Sequence, residues 1–240
     1  MLKNLTISAL TTLIGRLKEG RYVIPDFQRE FEWKPWDIRE LMRSIFLDYY
    51  IGSLLLWKGK PENFHALSCE AIYGYVGNGR RESIVLDGQQ RLTAMYYAFL
   101  APDLPLPTRS NRYFYFVRVD RFMDEKYDEA FEYDWSRGWA KVMSDPKVQY
   151  GGHIFPLSIV GQSGWALPNW VQGYQRHWED AAGAAKAAND QSALKLAERC
   201  VENAMAFGEH LKGITEQYQM RTSNSTKNSK LTRYATFSRK

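Results

Sequence analysis

The stretch SIVLDGQQRLTAMYYAFL at residues 83–100 joins a short apolar run to a longer amphipathic one. Residues 83–87 are branched and apolar over the length of one strand, which predicts a buried β-strand. Gly88 interrupts this run. Residues 89–100 then repeat apolar side chains at helical spacing. The sequence therefore predicts a strand that passes directly into a helix.

The same patterns outward from this stretch predict further helices and strands. Helices are expected at 7–19, 35–49 and 178–211, and strands at 22–24, 53–57 and 112–119. This order predicts an α/β (α+β) fold, with a mixed sheet, flanking helices and a mainly helical C-terminal part.

The positive charge of the chain is concentrated at its C-terminal end. The 240 residues carry a net charge of +5, but residues 221–240 hold six basic residues and no acidic one. The remainder has 26 basic and 27 acidic residues. Because residues 220–240 are rich in Ser, Thr and Asn, we predict a basic, disordered tail with unspecific affinity for polyanions.

Composition excludes several classes of protein. Hydrophobic residues make up 45% of the chain, which is typical of a globular protein. Cys69 and Cys200 form no CxxC pair, so a disulfide scaffold and a cysteine zinc site are not expected, and a cytoplasmic location is the simplest. Apolar runs fall short of the roughly 20 residues that span a membrane, so no membrane partner is expected.

Residues 87–91 have the chemistry of an anion site. A helix that opens after a buried strand presents unpaired backbone N–H groups, and Gly88 lets a ligand approach them closely. Arg91 supplies a guanidinium suited to phosphate, and Gln89 and Gln90 supply neutral hydrogen bonds. Asp87 could cap the helix or hold a metal that bridges to phosphate.

A purely structural interpretation of these residues stays open at this stage. In it, Asp87 is an N-cap, Gly88 is a turn residue and Arg91 forms a surface ion pair.

A second cluster lies at residues 24–33, where Gln28 and Arg29 stand among aromatic residues. These aromatics could stack on a base, or they could pack the loop onto the core while Arg29 pairs with Glu30 or Glu32. We favour packing for Phe27, Phe31, Trp33 and Trp36.

The residues that carry a family resemblance are IPDFQR at 24–29, LDGQQRLTA at 86–94 and, between them, the helix that contains LMRSI at 41–45. Through these residues the chain resembles the N-terminal domain of GmrSD-type modification-dependent restriction endonucleases. The resemblance is strong over residues 1–120 and weaker over 121–219. It implies the ParB/sulfiredoxin-like superfamily, with its mixed sheet and flanking helices. Together with the helical pattern and the basic tail found above, it divides the chain into a ParB-like nucleotide-binding domain (1–120), a mainly helical extension (121–219) and the tail (220–240).

The resemblance also implies function and site residues. It implies nucleoside triphosphate hydrolysis with a divalent ion, Mg²⁺, in defence against phage DNA with modified bases. By position, Asp87, Gln89, Gln90 and Arg91 would be catalytic, with Asp87 also on the metal. Nucleotide binding would fall to Gln28, Arg29, Gly88 and Arg91. DNA or a separate nuclease subunit are further expected partners.

The chain also departs from this family. The four histidines (His65, His153, His177 and His210) lack metal-ligand spacing and are predicted to be structural or exposed, so no His-Asn-His nuclease motif is recognised. We expect the chain to be truncated or frame-shifted relative to longer relatives. Two other interpretations are a ParB-like DNA-binding module without turnover and an inactive fragment.

Overall fold

The chain forms a mixed arrangement of strands and helices. In a computed structural model, residues 4–107, 109–162 and 164–225 are described. The strands are β1 (Asn4–Ala9), β2 (Tyr22–Ile24), β3 (Leu54–Lys58), β4 (Glu70–Ala71), β5 (Ser83–Asp87), β6 (Phe114–Arg118), β7 (Phe131–Asp134), β8 (Ile154–Pro156) and β9 (Gln219–Ser225).

Helices cover these strands and dominate the C-terminal half, as predicted. They are α1 (Leu10–Lys18), α2 (Pro35–Phe46), α3 (Pro61–Ala66), α4 (Gln89–Met95), α5 (Val119–Met123), α6 (Tyr127–Ala130), α7 (Arg137–Ser144), α8 (Pro146–Gly151), α9 (Ser158–Gly161), α10 (Ala166–Ala187) and α11 (Gln191–Gln217). A π-helical segment, Tyr96–Leu100, continues α4. No helix within the described ranges is both long and apolar enough to cross a lipid bilayer.

The larger sheet is mixed, which confirms the predicted fold class. Among the described residues its strand order is β1-β9-β3-β5-β2-β4. Strands β2 and β5 are parallel, with Tyr22 opposite Ser83 and Val23 opposite Ile84. Since parallel strands end at the same edge of a sheet, the loop after β2 and the turn after β5 emerge side by side. This edge brings the two sequence clusters together.

One hydrophobic core joins the N-terminal and C-terminal parts of the chain. A smaller antiparallel sheet, β7-β6-β8, packs beside α2. Phe46 of α2 meets Phe131 edge to face at 5.4 Å, and Phe122 meets Phe207 of α11 in the same way at 5.6 Å. The division at residue 120 stays a prediction, but buried side chains from both sides of it belong to one cluster.

The structure differs from the sequence analysis at one edge of the large sheet, where β1 and β9 lie side by side. Residues 4–9 form β1, so the predicted helix starts at Leu10, and Ile7 is 54% exposed instead of lying on the buried face. Residues 219–225 form β9, which pairs with β1 on one side and β3 on the other. The prediction of disorder is therefore wrong for 220–225, and 226–240 lie outside the described residues.

The cysteines are buried, and the histidines described below are structural or exposed, as predicted for them. Cys69 and Cys200 are buried free thiols, and burial raises the pKa of each to about 11. His153 stacks on the indole of Trp178 at 4.9 Å. His210 donates from Nε2 to the Phe46 carbonyl at 2.8 Å, while His65 is exposed.

Two half-buried histidines should make the stability depend on pH. Burial lowers the pKa of both His153 and His210 below the usual 6.5. The unfolded chain therefore takes up these protons at higher pH than the folded protein does. Their contribution to the free energy of unfolding is complete above about pH 6.5 and is lost as the pH falls through the folded pKa.

We expect a lower melting temperature at about pH 5 than at about pH 7.5, measured by circular dichroism. A His153→Gln/His210→Gln double variant keeps a polar side chain at each position but cannot titrate there. Its melting temperature should change less between the two pH values. An equal change in the wild type and the double variant would contradict this origin of the pH dependence.

Candidate functional site

A cavity of about 330 Å³ opens at the shared edge of β2 and β5. It lies between the loop that follows β2 and the turn that leads from β5 into α4. Its lining residues are Gln28, Arg29, Trp33, Leu86, Asp87, Gly88, Gln89, Gln90 and Arg91. The structure thus brings both predicted clusters to one cavity, whose lining carries two cations and one carboxylate.

The turn into α4 depends on glycine. Gly88 is the N-cap of α4 and has a φ of 95°, a left-handed conformation that residues with a Cβ rarely adopt. A Cβ at this position would also overlap Cδ2 of Leu54. The first α-helical bond of α4 runs from the Leu92 N–H to the Gly88 carbonyl, so the amides of 89–91 precede it.

Arg91 is tied to the protein instead of projecting freely from the first turn. Its Nη1 donates to the Ile51 carbonyl at 2.7 Å, and its Nη2 donates to the Ser53 carbonyl at 2.9 Å. Its side chain is only 16% exposed. Arg91 therefore fixes the segment between α2 and β3 to the start of α4, and its charge still borders the cavity.

Asp87 is the accessible carboxylate of the site. Its side chain is 70% exposed, and its Oδ2 lies 3.3 Å from Nη2 of Arg91. The interpretation of Asp87 as an N-cap is wrong, because Gly88 occupies that position without a side-chain capping bond. The alternative ion pair of Arg91 is present, although the guanidinium is mostly buried and not a surface group.

Gln90 has a structural task. Its Oε1 accepts the backbone N–H groups of Glu32 at 3.0 Å and Trp33 at 3.3 Å, and its Nε2 donates to the Glu30 carbonyl at 2.8 Å. The residue is 8% exposed. Gln90 therefore holds the loop after β2 against α4, and its catalytic role stays a prediction.

The two residues of the second cluster differ in their setting. Gln28 is half-buried, and its Nε2 donates to the Val85 carbonyl of β5 at 2.5 Å. Arg29 is exposed and pairs with Glu32 at 3.3 Å, which is one of the two ion pairs considered from the sequence. Gln28 anchors the loop, whereas Arg29 and the half-buried Gln89 line the cavity without such an anchoring bond in the described structure.

The aromatic residues of the loop after β2 also separate into different roles. Phe31 is buried, which confirms packing for that residue, and Trp33 packs partly on the core while it lines the cavity. Phe27 and Trp36 are 52% and 44% exposed, so the prediction that these two pack onto the core is wrong.

The residues that could hold a divalent ion are few. In the described part of the chain no three His, Cys, Asp or Glu side chains cluster as metal ligands. Asp87 is the acidic residue that lines the cavity. Mg²⁺ is commonly bound through one or two carboxylates together with phosphate and water oxygens, so this donor set fits an ion that arrives with a phosphorylated ligand.

Comparison with known proteins places the chain in a family. Its sequence matches the N-terminal domain of GmrSD restriction endonucleases over residues 10–237. The chain belongs to this family. It is also similar to the uncharacterized protein MJ0686 of Methanocaldococcus jannaschii, with 32% identity over 126 residues. That alignment covers 50% of this chain and 22% of the relative, so the chain spans about a fifth of the relative's length.

The GmrSD N-terminal domain match extends beyond the region expected from the sequence. It runs through residue 120 without a break and passes residue 219 into the predicted tail. This agrees with the position of β9 inside the large sheet. Assignment to the ParB/sulfiredoxin-like superfamily stays a prediction.

Parts of this cavity were not singled out from the sequence. Leu86 forms part of the wall, and the Ile51 and Ser53 carbonyls hold Arg91. The sequence does contain one signal for this contact, because Gly52 lies between the two carbonyls. A Cβ at Gly52 would overlap Nη1 of Arg91.

Replacing Gln90 should destabilise the fold. In Gln90→Ala, two N–H groups and one carbonyl of the loop lose their partner, so we expect a loss of about 1–3 kcal/mol in the free energy of unfolding. The neighbouring Gln89→Ala is the matched control and should change it by no more than about 0.5 kcal/mol. Urea denaturation measures both, and equal effects would argue against the role assigned to Gln90.

Replacing Gly88 tests the strained turn. Gly88→Ala adds a Cβ at a positive φ and against Leu54, so we expect a loss of about 1–3 kcal/mol in stability. Gly15→Ala in α1 is the control, because no atom lies within 4 Å of its added Cβ. It should be neutral or stabilising in the same denaturation assay, and a neutral Gly88→Ala would contradict the proposed constraint.

Proposed function

We propose that the cavity binds a nucleoside triphosphate together with Mg²⁺ and that the domain hydrolyses it. The observation that supports this most is the meeting of both sequence clusters at one cavity, where Arg29, Arg91 and Asp87 surround the glycine turn. Membership in the GmrSD family indicates a protein of the DNA restriction and phage-defence type. We propose nucleotide hydrolysis as the regulatory contribution of this domain.

The charges around the cavity suit a polyanion. Arg29 is exposed and can turn from Glu32 toward a ligand, since an exposed ion pair of this kind contributes little stability. Arg91 adds a fixed positive charge that needs no reorganisation. The glycine turn permits close approach to the backbone of residues 88–91.

The reaction would depend on position and electrostatics. Water attacks the terminal phosphorus, the bond to the bridging oxygen breaks, and inorganic phosphate and a nucleoside diphosphate leave. Asp87 would hold Mg²⁺, which neutralises charge on the phosphates. Gln89 lines the cavity and could orient the water, a task for which Gln90 is poorly suited because its amide binds the loop.

The DNA-facing part of the function rests on the family alone. A restriction-type domain indicates involvement with DNA. The five basic residues between 226 and 240 lie outside the described residues. A ParB-like DNA-binding role without turnover stays a prediction, as does a separate nuclease subunit.

Phosphate release tests the proposed activity. With Mg²⁺ and each common nucleoside triphosphate in turn, the purified chain should release inorganic phosphate, and chelation of Mg²⁺ should stop it. Asp87→Asn removes the carboxylate charge at an exposed position and should lower the rate at least about tenfold, which corresponds to about 1.4 kcal/mol.

The control for this test is another exposed aspartate in an ion pair with arginine. Asp103 pairs with Arg112 at 2.8 Å and has a 93% exposed side chain, so Asp103→Asn should keep the wild-type rate. Arg91→Ala is a poor choice here, because it also removes the bonds to Ile51 and Ser53. Unchanged phosphate release in Asp87→Asn would refute the assignment of Asp87.

A further inference from the structure

The lining of the cavity combines polar and apolar residues. Asp87, Gln89 and Arg29 are polar members of the lining. Leu86 and Trp33 are its apolar members, and Trp33 is the aromatic one. A ligand that matches this lining carries both an anionic group and a flat apolar face.

Trp33 is held in place by contacts that are independent of any ligand. Its backbone N–H binds Oε1 of Gln90 at 3.3 Å, and its side chain packs partly against the main core. The bond from Gln28 to the Val85 carbonyl anchors the same loop from its other end. The indole is therefore positioned before a ligand binds, which lowers the entropic cost of binding.

The other aromatic residues between positions 27 and 36 do not line the cavity. Phe27 is 52% exposed, and Trp36 is 44% exposed with the ammonium of Lys34 5.2 Å from its ring centroid. Phe31 is buried in the core. Of the four aromatics between 27 and 36, Trp33 alone lines the cavity.

We propose that the indole of Trp33 is the surface on which the nucleotide base stacks. The inference rests on the proposed function, because it assigns the base end of the same site. Every base has a π-face, so a stacking contact tolerates different bases, and its loss typically lowers affinity roughly 5- to 100-fold. Trp33 then sets the preference for nucleotides over other triphosphates, while the polar lining residues bind the phosphates.

The test compares ligands with and without a base on the full chain. Calorimetry measures the Kd of the tightest-binding common ribonucleoside triphosphate and of ribose 5-triphosphate, which has the same sugar and phosphates. The wild type should bind the nucleotide roughly 5- to 100-fold more tightly. In Trp33→Leu this advantage should disappear through weaker nucleotide binding, while ribose 5-triphosphate binds as before. Trp33→Phe should retain most of the advantage.

Trp36→Leu is the matched control and should leave both Kd values unchanged. Equal weakening of both ligands in Trp33→Leu would overturn the inference, because Trp33 would then only support the loop. The wild type alone also tests the inference, so the test holds even if Trp33→Leu does not fold. Equal wild-type affinity for the nucleotide and for ribose 5-triphosphate would overturn the inference. Absence of binding by either ligand to the wild type would instead refute the proposed function, and the inference with it.

Discussion

The buried carboxamide of Gln90 connects the two halves of the cavity. It supplies hydrogen bonds to three backbone groups of the loop after β2, from a position inside the first turn of α4. This contact ties the loop directly to the helix that begins at the glycine turn. The bond from Gln28 to β5 and the bonds from Arg91 to Ile51 and Ser53 extend the same principle. Long polar side chains thus join loops that the sheet does not pair.

This arrangement changes how the motif at residues 87–91 is understood. These residues are adjacent in sequence, but they have two different roles. Some bind other parts of the protein and hold the site together, and others line the cavity. Gln90 and Arg91 use their side-chain N–H groups to bind backbone carbonyls, whereas Asp87 and Gln89 line the cavity without such bonds to carbonyls in the described structure. Residue type alone could not predict these roles, because the N–H groups of glutamine and of arginine can donate either to a phosphate oxygen or to a backbone carbonyl.

Much of the fold followed from local patterns, and the exceptions have a common physical cause. The β5–α4 junction was predictable because a branched apolar run, a glycine and a helical stripe follow one another. Strands β1 and β9 were missed because they support each other. Arg221 of β9 is exposed, while Met220 and Thr222 are buried. That weak alternation in a polar segment becomes a strand only through its partners, β1 and β3.

The pairing of β1 with β9 also constrains how the protein is made. Residues 4–9 lie beside residues 219–225, and β9 in turn separates β1 from β3. A ribosome therefore releases the first strand long before its neighbour has been translated. During that interval β1 and the open side of β3 have unpaired backbone groups, and contacts of such large sequence separation form slowly. The sheet therefore cannot be completed before residues 219–225 have been translated, and until then the unpaired edges of β1 and β3 can pair with other chains.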